Sequence, residues 1–332
     1  MRAWILPVIL AACVPALDAG TEAQFYIAYS KDNGGDGNYK VYYAQATGEF
    51  SLLVGPKLLL DSPTAAFGVL SNKGNRLAYV ERDAATGASQ LYYSDLDQQA
   101  NIKAGPFKLT NDANYTIQYP TITYDKRFGF TRASMTGGPA TEEAFVSILH
   151  RKKKNVLKKM TPVTNNSVQD TQAFLMGFLK GIYYVRDGSI WFRTVNGNGP
   201  KGTEKVVLAG APPTLVYSDP SITKSVGLLA YIKSDASGSA NLFRVLVDAS
   251  GTILGAEEQI TFVSPPAKVV KGAISTGAAQ MFWVVDRGDG YQDLYRQWWY
   301  GPVSNNHPVE APRLWMTGGY GDRFGSVYCA EP

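Results

Sequence analysis

One dipeptide, a small or aliphatic residue followed by an aromatic one, returns along the chain at a nearly constant interval. It occurs as Val41-Tyr42, Leu91-Tyr92, Ala144-Phe145, Ile190-Trp191, Leu242-Phe243 and Leu294-Tyr295. The steps are 50, 53, 46, 52 and 52 residues. A period of that length marks a chain of repeated supersecondary units, each leaving an apolar face for its neighbour to cover. Ahead of the dipeptides lie runs rich in β-branched and aromatic residues, centred near Tyr29, Tyr79, Phe130, Tyr184, Tyr231 and Trp283. They read as strands. Gly/Asp/Ser clusters such as Ala85-Thr86-Gly87 and Arg287-Gly288-Asp289-Gly290 separate the two strands of a unit as hairpin turns.

A further strand precedes each pair, centred near Val69, Ile122, Leu175, Ile222, Ile274 and Val327. Another follows, ending in Thr at Leu109-Thr110, Met160-Thr161, Ile260-Thr261 and Met316-Thr317. Four strands per unit at this period describe the blades of a β-propeller. The first unit starts directly in a second strand, and the last stops after a first strand, Phe324–Tyr328. Pairing the two fragments completes a sixth blade and removes two open sheet edges. The expectation is an all-β, six-bladed β-propeller of four-stranded antiparallel blades, one domain over residues 21–332, closed by residues 324–328 against the N-terminal strands.

The best preserved unit carries Ser71-Asn72-Lys73-Gly74-Asn75-Arg76-Leu77-Ala78-Tyr79 and Leu91-Tyr92-Tyr93-Ser94-Asp95-Leu96. This resembles the TolB-type repeat, SPDGxxLAY…LYxxDLD, with Asn72-Lys73 in place of Pro-Asp. The resemblance covers the whole mature chain in pattern and one blade in letters. It implies a propeller without the α/β domain that precedes the propeller in TolB, and a binding role at one channel mouth.

Residues 1–19 read as an export signal: Arg2, an apolar stretch from Ala3 to Ala12, then Cys13. Leu10-Ala11-Ala12-Cys13 resembles a lipobox with Cys13 as the lipidated residue; cleavage near Ala16 or Ala19 is the competing reading. The stretch is about half of the ~20 residues a spanning helix needs. The corresponding locations are a periplasm-facing outer-membrane lipoprotein, with Val14 after the cysteine, or a secreted or periplasmic soluble protein. The net charge of +4 falls to +3 without Arg2, too mild to imply nucleic acid. Cys329 is left as a small buried residue, and two histidines, His150 and His307, do not suggest a zinc site.

Four features are candidate sites. Asp112, Asp170, Asp219 and Asp322 precede first strands and either ring a channel mouth, holding a cation or basic segment, or cap turns. His150-Arg151-Lys152-Lys153-Lys154 with Lys158-Lys159 faces lipid phosphates or an acidic partner, or is a solvated hairpin tip. Trp298-Trp299-Tyr300, with His307 in the same long connection, is a stacking platform or a rim cover. Both of the latter lie between third and fourth strands and share a face. Asp32-Asn33-Gly34-Gly35-Asp36-Gly37 partly matches a calcium loop, but position twelve is Tyr43 where a bidentate Glu is needed, so it reads as a turn.

The chain lacks GxSxG, a P-loop and GxGxxG after a strand. The expected function is a monomeric cell-envelope binding or scaffold propeller that recognises a protein or envelope polymer without chemistry or cofactor. The alternative is a carbohydrate-active hydrolase or lyase using channel carboxylates such as Asp170 and Asp322.

Overall fold

The computed structural model describes residues 24–35, 39–47, 52–62, 64–71, 73–123, 126–135, 142–150, 153, 156–176, 181–196, 199–223, 227–275, 277–300, 307–308 and 310–330. They form six antiparallel sheets and no helix. Blade one pairs β25 (Arg323–Ala330) with β1 (Gln24–Asp32), β2 (Tyr39–Thr47) and β3 (Leu52–Leu60). Blade two is β4 (Ala65–Leu70), β5 (Arg76–Arg82), β6 (Ser89–Leu96) and β7 (Ile102–Lys108). Blade three is β8 (Tyr115–Ile122), β9 (Arg127–Ser134), β10 (Glu142–Ile148) and β11 (Thr161–Pro162). Blade four is β12 (Asp170–Met176), β13 (Gly181–Arg186), β14 (Ser189–Asn196) and β15 (Gly199–Leu208). Blade five is β16 (Leu215–Ile222), β17 (Gly227–Asp235), β18 (Ala240–Val247) and β19 (Glu258–Gln259). Blade six is β20 (Lys268–Ile274), β21 (Gln280–Asp286) and β22 (Gln292–Tyr300), with β23 (His307–Pro308) and β24 (Arg313–Thr317) both on β22.

The recurring aromatics explain why each unit folds as a hairpin. Every second-strand aromatic lies directly opposite the aromatic of its dipeptide: Tyr29–Tyr42, Tyr79–Tyr92, Phe130–Phe145, Tyr184–Trp191, Tyr231–Phe243 and Trp283–Tyr295. In five of these pairs the rings stack, with centroids 5.2–6.3 Å apart. In blade four the Arg186 guanidinium lies 5.4 Å from the Tyr184 ring centroid and 4.7 Å from that of Trp191. Such pairs add ~0.5–1.5 kcal/mol each beyond their burial and fix the register.

The ring closes as expected. β25 runs beside β1 with Tyr29 opposite Val327 and Ile27 opposite Cys329. Each inner strand contacts the next, from β25 through β4, β8, β12, β16 and β20 back to β25. The clasp has a second contact. Gly34 N–H donates to Asp322 Oδ1 at 2.8 Å, and a Cβ on Gly35 (φ +73°) would meet the Gly321 carbonyl oxygen at 2.6 Å. The glycines of the calcium-like segment thus admit the C-terminal turn. Asp32 is buried and accepts the Gly35 amide, Tyr43 is buried in the core, and Asp36 and Gly37 lie outside the described residues.

A side-chain clip ties third strands to the link with the next blade. Thr110 accepts from Leu91 N–H and donates to Gln90; Thr261 does the same with Leu242 and Asn241. In blade three the clip is Thr164, which accepts from Ala144 N–H and donates to Glu143. Thr161, the residue singled out by sequence, instead starts the short outer strand β11.

Candidate functional site: the channel mouth

All six inner strands break register next to their second strand, between Ala66 and Val69, Gln118 and Thr121, Thr171 and Phe174, Ser218 and Ser221, Val269 and Lys271, and Phe324 and Ser326. In four of them the extra residue has a left-handed backbone: Phe67 (φ 53°), Tyr119 (49°), Gln172 (52°) and Asp219 (51°). Non-glycine residues seldom adopt this region, and each such case costs on the order of 1 kcal/mol. A bulge repeated at one height around a ring re-aims side chains. Here it turns one residue per blade into the channel: Phe67, Tyr119, Gln172, Asp219, Lys271 and, from the clasp strand, Ser326.

The ring has two chemical halves. Phe67 and Tyr119 touch, with centroids 5.0 Å apart. Opposite them, Asp219 N–H donates to Gln172 Oε1 at 2.5 Å, Asp219 Oδ2 accepts from Gly272 N–H at 2.6 Å, and Lys271 Nζ stands 4.0 Å from Asp219 Oδ1. Burial raises the Asp219 pKa against the opposing pull of Lys271 and the Gly272 amide. Burial also raises that of the Tyr119 hydroxyl, with the Glu142 and Asp219 charges acting in the same sense, so Tyr119 stays protonated. Below this ring, Phe174 and Tyr328 come from opposite blades and stack across the axis at 6.3 Å. They floor a cavity of about 70 Å³, far under the ~300–1,000 Å³ of small-molecule sites. The mouth opens where inner strands begin, the face of the second-to-third turns.

The four aspartates do not converge. Asp219 lines the channel; the other three each meet a cation of the second strand in their own blade. Asp112 accepts from Arg132 at 2.9 Å and from Asn114 N–H, Asp322 meets Lys31 at 2.6 Å, and Asp170 receives the Arg186 guanidinium on both oxygens at 2.6 and 2.9 Å. Asp170 is fully buried and Arg186 also reaches Glu204 at 2.7 Å. Burial works against the Asp322 carboxylate, but Lys31 and the Gly319 and Gly34 amides outweigh it and hold its pKa below the usual range. Among the described residues no group of three or more acids, histidines or cysteines is placed to hold a metal ion.

On the opposite face, the described residues between β10 and β11 include a pairing of His150 N–H with the Val156 carbonyl and of Lys158 N–H with that of Ile148. Lys153 is exposed there; Arg151, Lys152 and Lys154 lie outside the described residues. Strand alternation separates the two tryptophans. Trp299 is buried, with the Arg244 guanidinium of blade five 3.8 Å from its ring centroid, while Trp298 is half-buried. The Tyr300 backbone pairs with His307. Cys13 and the export segment lie outside the described residues.

No protein-family model matches the chain, and no curated protein matches it in sequence. Solved structures do. TolB from Acinetobacter baumannii superposes with a TM-score of 0.57 at 17% identity, over 91% of this chain and 66% of that one. The fold is that of the TolB propeller. Hydrazine synthase of Kuenenia stuttgartiensis gives 0.60 at 13% identity over 94% of this chain and 47% of that one. A protein of unknown function from Dyadobacter fermentans gives 0.54 at 12%, over 86% and 90%. The chain therefore spans less than two thirds of the first two, and proteins so different in name share one scaffold, so function rests on the site.

Proposed function

We propose that this is an exported cell-envelope propeller that recognises a protein partner at the channel mouth and does no chemistry there. The observation that carries this reading is the ring of bulged inner strands. Backbone strain repeated at one height presents an aromatic half and a charged half beside each other, above a floor that admits little more than one side-chain end. That suits an extended peptide segment laid across the mouth. A glycosidase pair needs a second carboxylate about 5–9.5 Å from the first. Among the described residues lining the mouth, Asp219 is the one carboxylate, while Asp170 and Asp322 are held by Arg186 and Lys31.

A photocrosslinking residue at Phe67, with one at the exposed rim residue Leu254 as control, tests this in cells. A discrete protein adduct at position 67 that is absent at 254, and lost with Asp219→Asn, is expected. Equal labelling at both positions, or a polysaccharide adduct alone, sinks the reading. The same variant reports on the cost of the site. A carboxylate whose folded pKa is raised loses stability as pH rises through that pKa, so Asp219→Asn is expected to be more stable than the parent at pH 7, by roughly 0.5–2 kcal/mol. The gap should close in acid, where both side chains are neutral, and thermal melts across pH measure it.

The envelope location is proposed with lipid on Cys13 as its anchor. Cys13→Ser is expected to move the protein from the membrane to the soluble fraction on cell fractionation; an unchanged distribution removes the anchor.

A further inference from the structure

A second cavity opens on the face opposite the mouth, at the seam between blades three and four. Its volume is about 270 Å³, close to the ~300 Å³ at which small-molecule sites begin. It is formed where β10, β12 and β14 end and where β9, β11 and β15 begin. Its walls are apolar: Val146, Leu175 and Val195 are 7%, 4% and 1% exposed. Its rim is cationic, with Arg127, Lys158 and Lys159 lining it and no carboxylate among the described lining residues. Lys158 and Lys159 are exposed, and neither makes an ion pair among the described residues. Several other cations are matched within a blade, as in Arg132–Asp112, Arg186–Asp170 and Lys233–Glu257.

An apolar hollow under the exposed pair Lys158 and Lys159 has the chemistry of a site for an anionic amphiphile. The ammoniums attract and hydrogen-bond phosphate oxygens, and the walls take the first methylenes of an attached chain out of water. A solvated hairpin tip needs the charges but not the hollow. The face is also the one on which β1 begins, in blade one, across the ring from the cavity. We infer that this seam binds the phosphate and proximal acyl segment of an anionic membrane lipid. The mouth on the other face then stays clear of that membrane. The inference stands apart from the partner reading of the mouth, and either can fail alone.

Calorimetric titration of the full chain tests it with dihexanoyl phosphatidylglycerol, dihexanoyl phosphatidylcholine and inorganic phosphate, the lipids kept below their micellar concentrations. Saturable one-to-one binding of the phosphatidylglycerol is expected, with phosphate and phosphatidylcholine weaker by at least about tenfold. K158E/K159E is expected to weaken binding by at least about tenfold, since one basic residue near an anionic surface contributes on the order of fivefold. Thr161→Phe, which fills the hollow without changing charge, is expected to weaken it as well. Unfolding midpoints equal to the parent's qualify each variant; if Thr161→Phe unfolds early, Ile148→Phe at a half-buried lining position replaces it. Phosphate binding as tightly as the lipid assigns a plain anion site and overturns the proposal. So does binding untouched by the filling variant, which reduces the effect to surface charge, or no saturable binding at all.

Discussion

A chain that stops at Asp322 is expected to accumulate in the insoluble fraction and to show no cooperative unfolding. It loses β25, whose Phe324, Tyr328 and Cys329 are 3%, 7% and 0% exposed. Burying a large apolar side chain stabilises by ~1.5–3 kcal/mol, so these residues together supply roughly 5 kcal/mol before any backbone hydrogen bond is counted. A whole domain is stable by only ~5–15 kcal/mol. The loss also turns the innermost edge of β1 into an open template for strand addition. Solubility, circular dichroism and limited proteolysis measure the outcome; a soluble truncated chain melting at the parent's temperature removes the clasp from the account of stability. Cys329 gives a milder readout. Its thiol is buried against β1, so slow labelling of the intact native protein should report opening of the clasp.

Asp170→Ala is expected to lower stability by about 3 kcal/mol, seen as a fall of roughly 10 °C in melting temperature. The carboxylate is wholly buried and takes the guanidinium of Arg186 on both oxygens. Removing one partner of a buried pair leaves the other charge uncompensated. Glu204 remains on Arg186, which places the expected loss at the low end of the ~3–5 kcal/mol range for such changes. Two comparisons discriminate. Asp112→Ala, at a pair whose carboxylate is 37% exposed, should cost less than ~1 kcal/mol. The double change Asp170→Leu, Arg186→Met should regain most of the single variant's loss, because an apolar pair of similar volume replaces a buried ion pair at little cost. A single variant as stable as the parent would falsify the structural role given to Asp170.

The architecture was legible because the residues that set register are also the ones that recur. Tyr29 and Tyr42, or Trp283 and Tyr295, are large enough to be seen as a period and sit opposite each other for the same reason. Closure was legible because the first and last units are each incomplete in a complementary way. The mouth was not. Phe67, Tyr119, Gln172, Asp219, Lys271 and Ser326 share no residue type, and a bulge without glycine leaves no local signature. What they share is position. The first five fall 12, 11, 12, 12 and 12 residues before the second-strand aromatics Tyr79, Phe130, Tyr184, Tyr231 and Trp283, a count that becomes meaningful once the register is known. The aspartate collar had the opposite fault. It was visible as a residue type, but Arg132, Arg186 and Lys31 that neutralise its members are brought beside them by strand pairing.

The ring of Tyr328 stacks on Phe174 from the far side of the molecule, so the strand that fastens the circle also stoppers its bore. Anything that enters from the mouth meets these two rings while the tail is seated. Peeling the tail away would unplug the axis in the same movement that unlatches the ring. The fastening of the ring and the floor of its cavity thus depend on one strand.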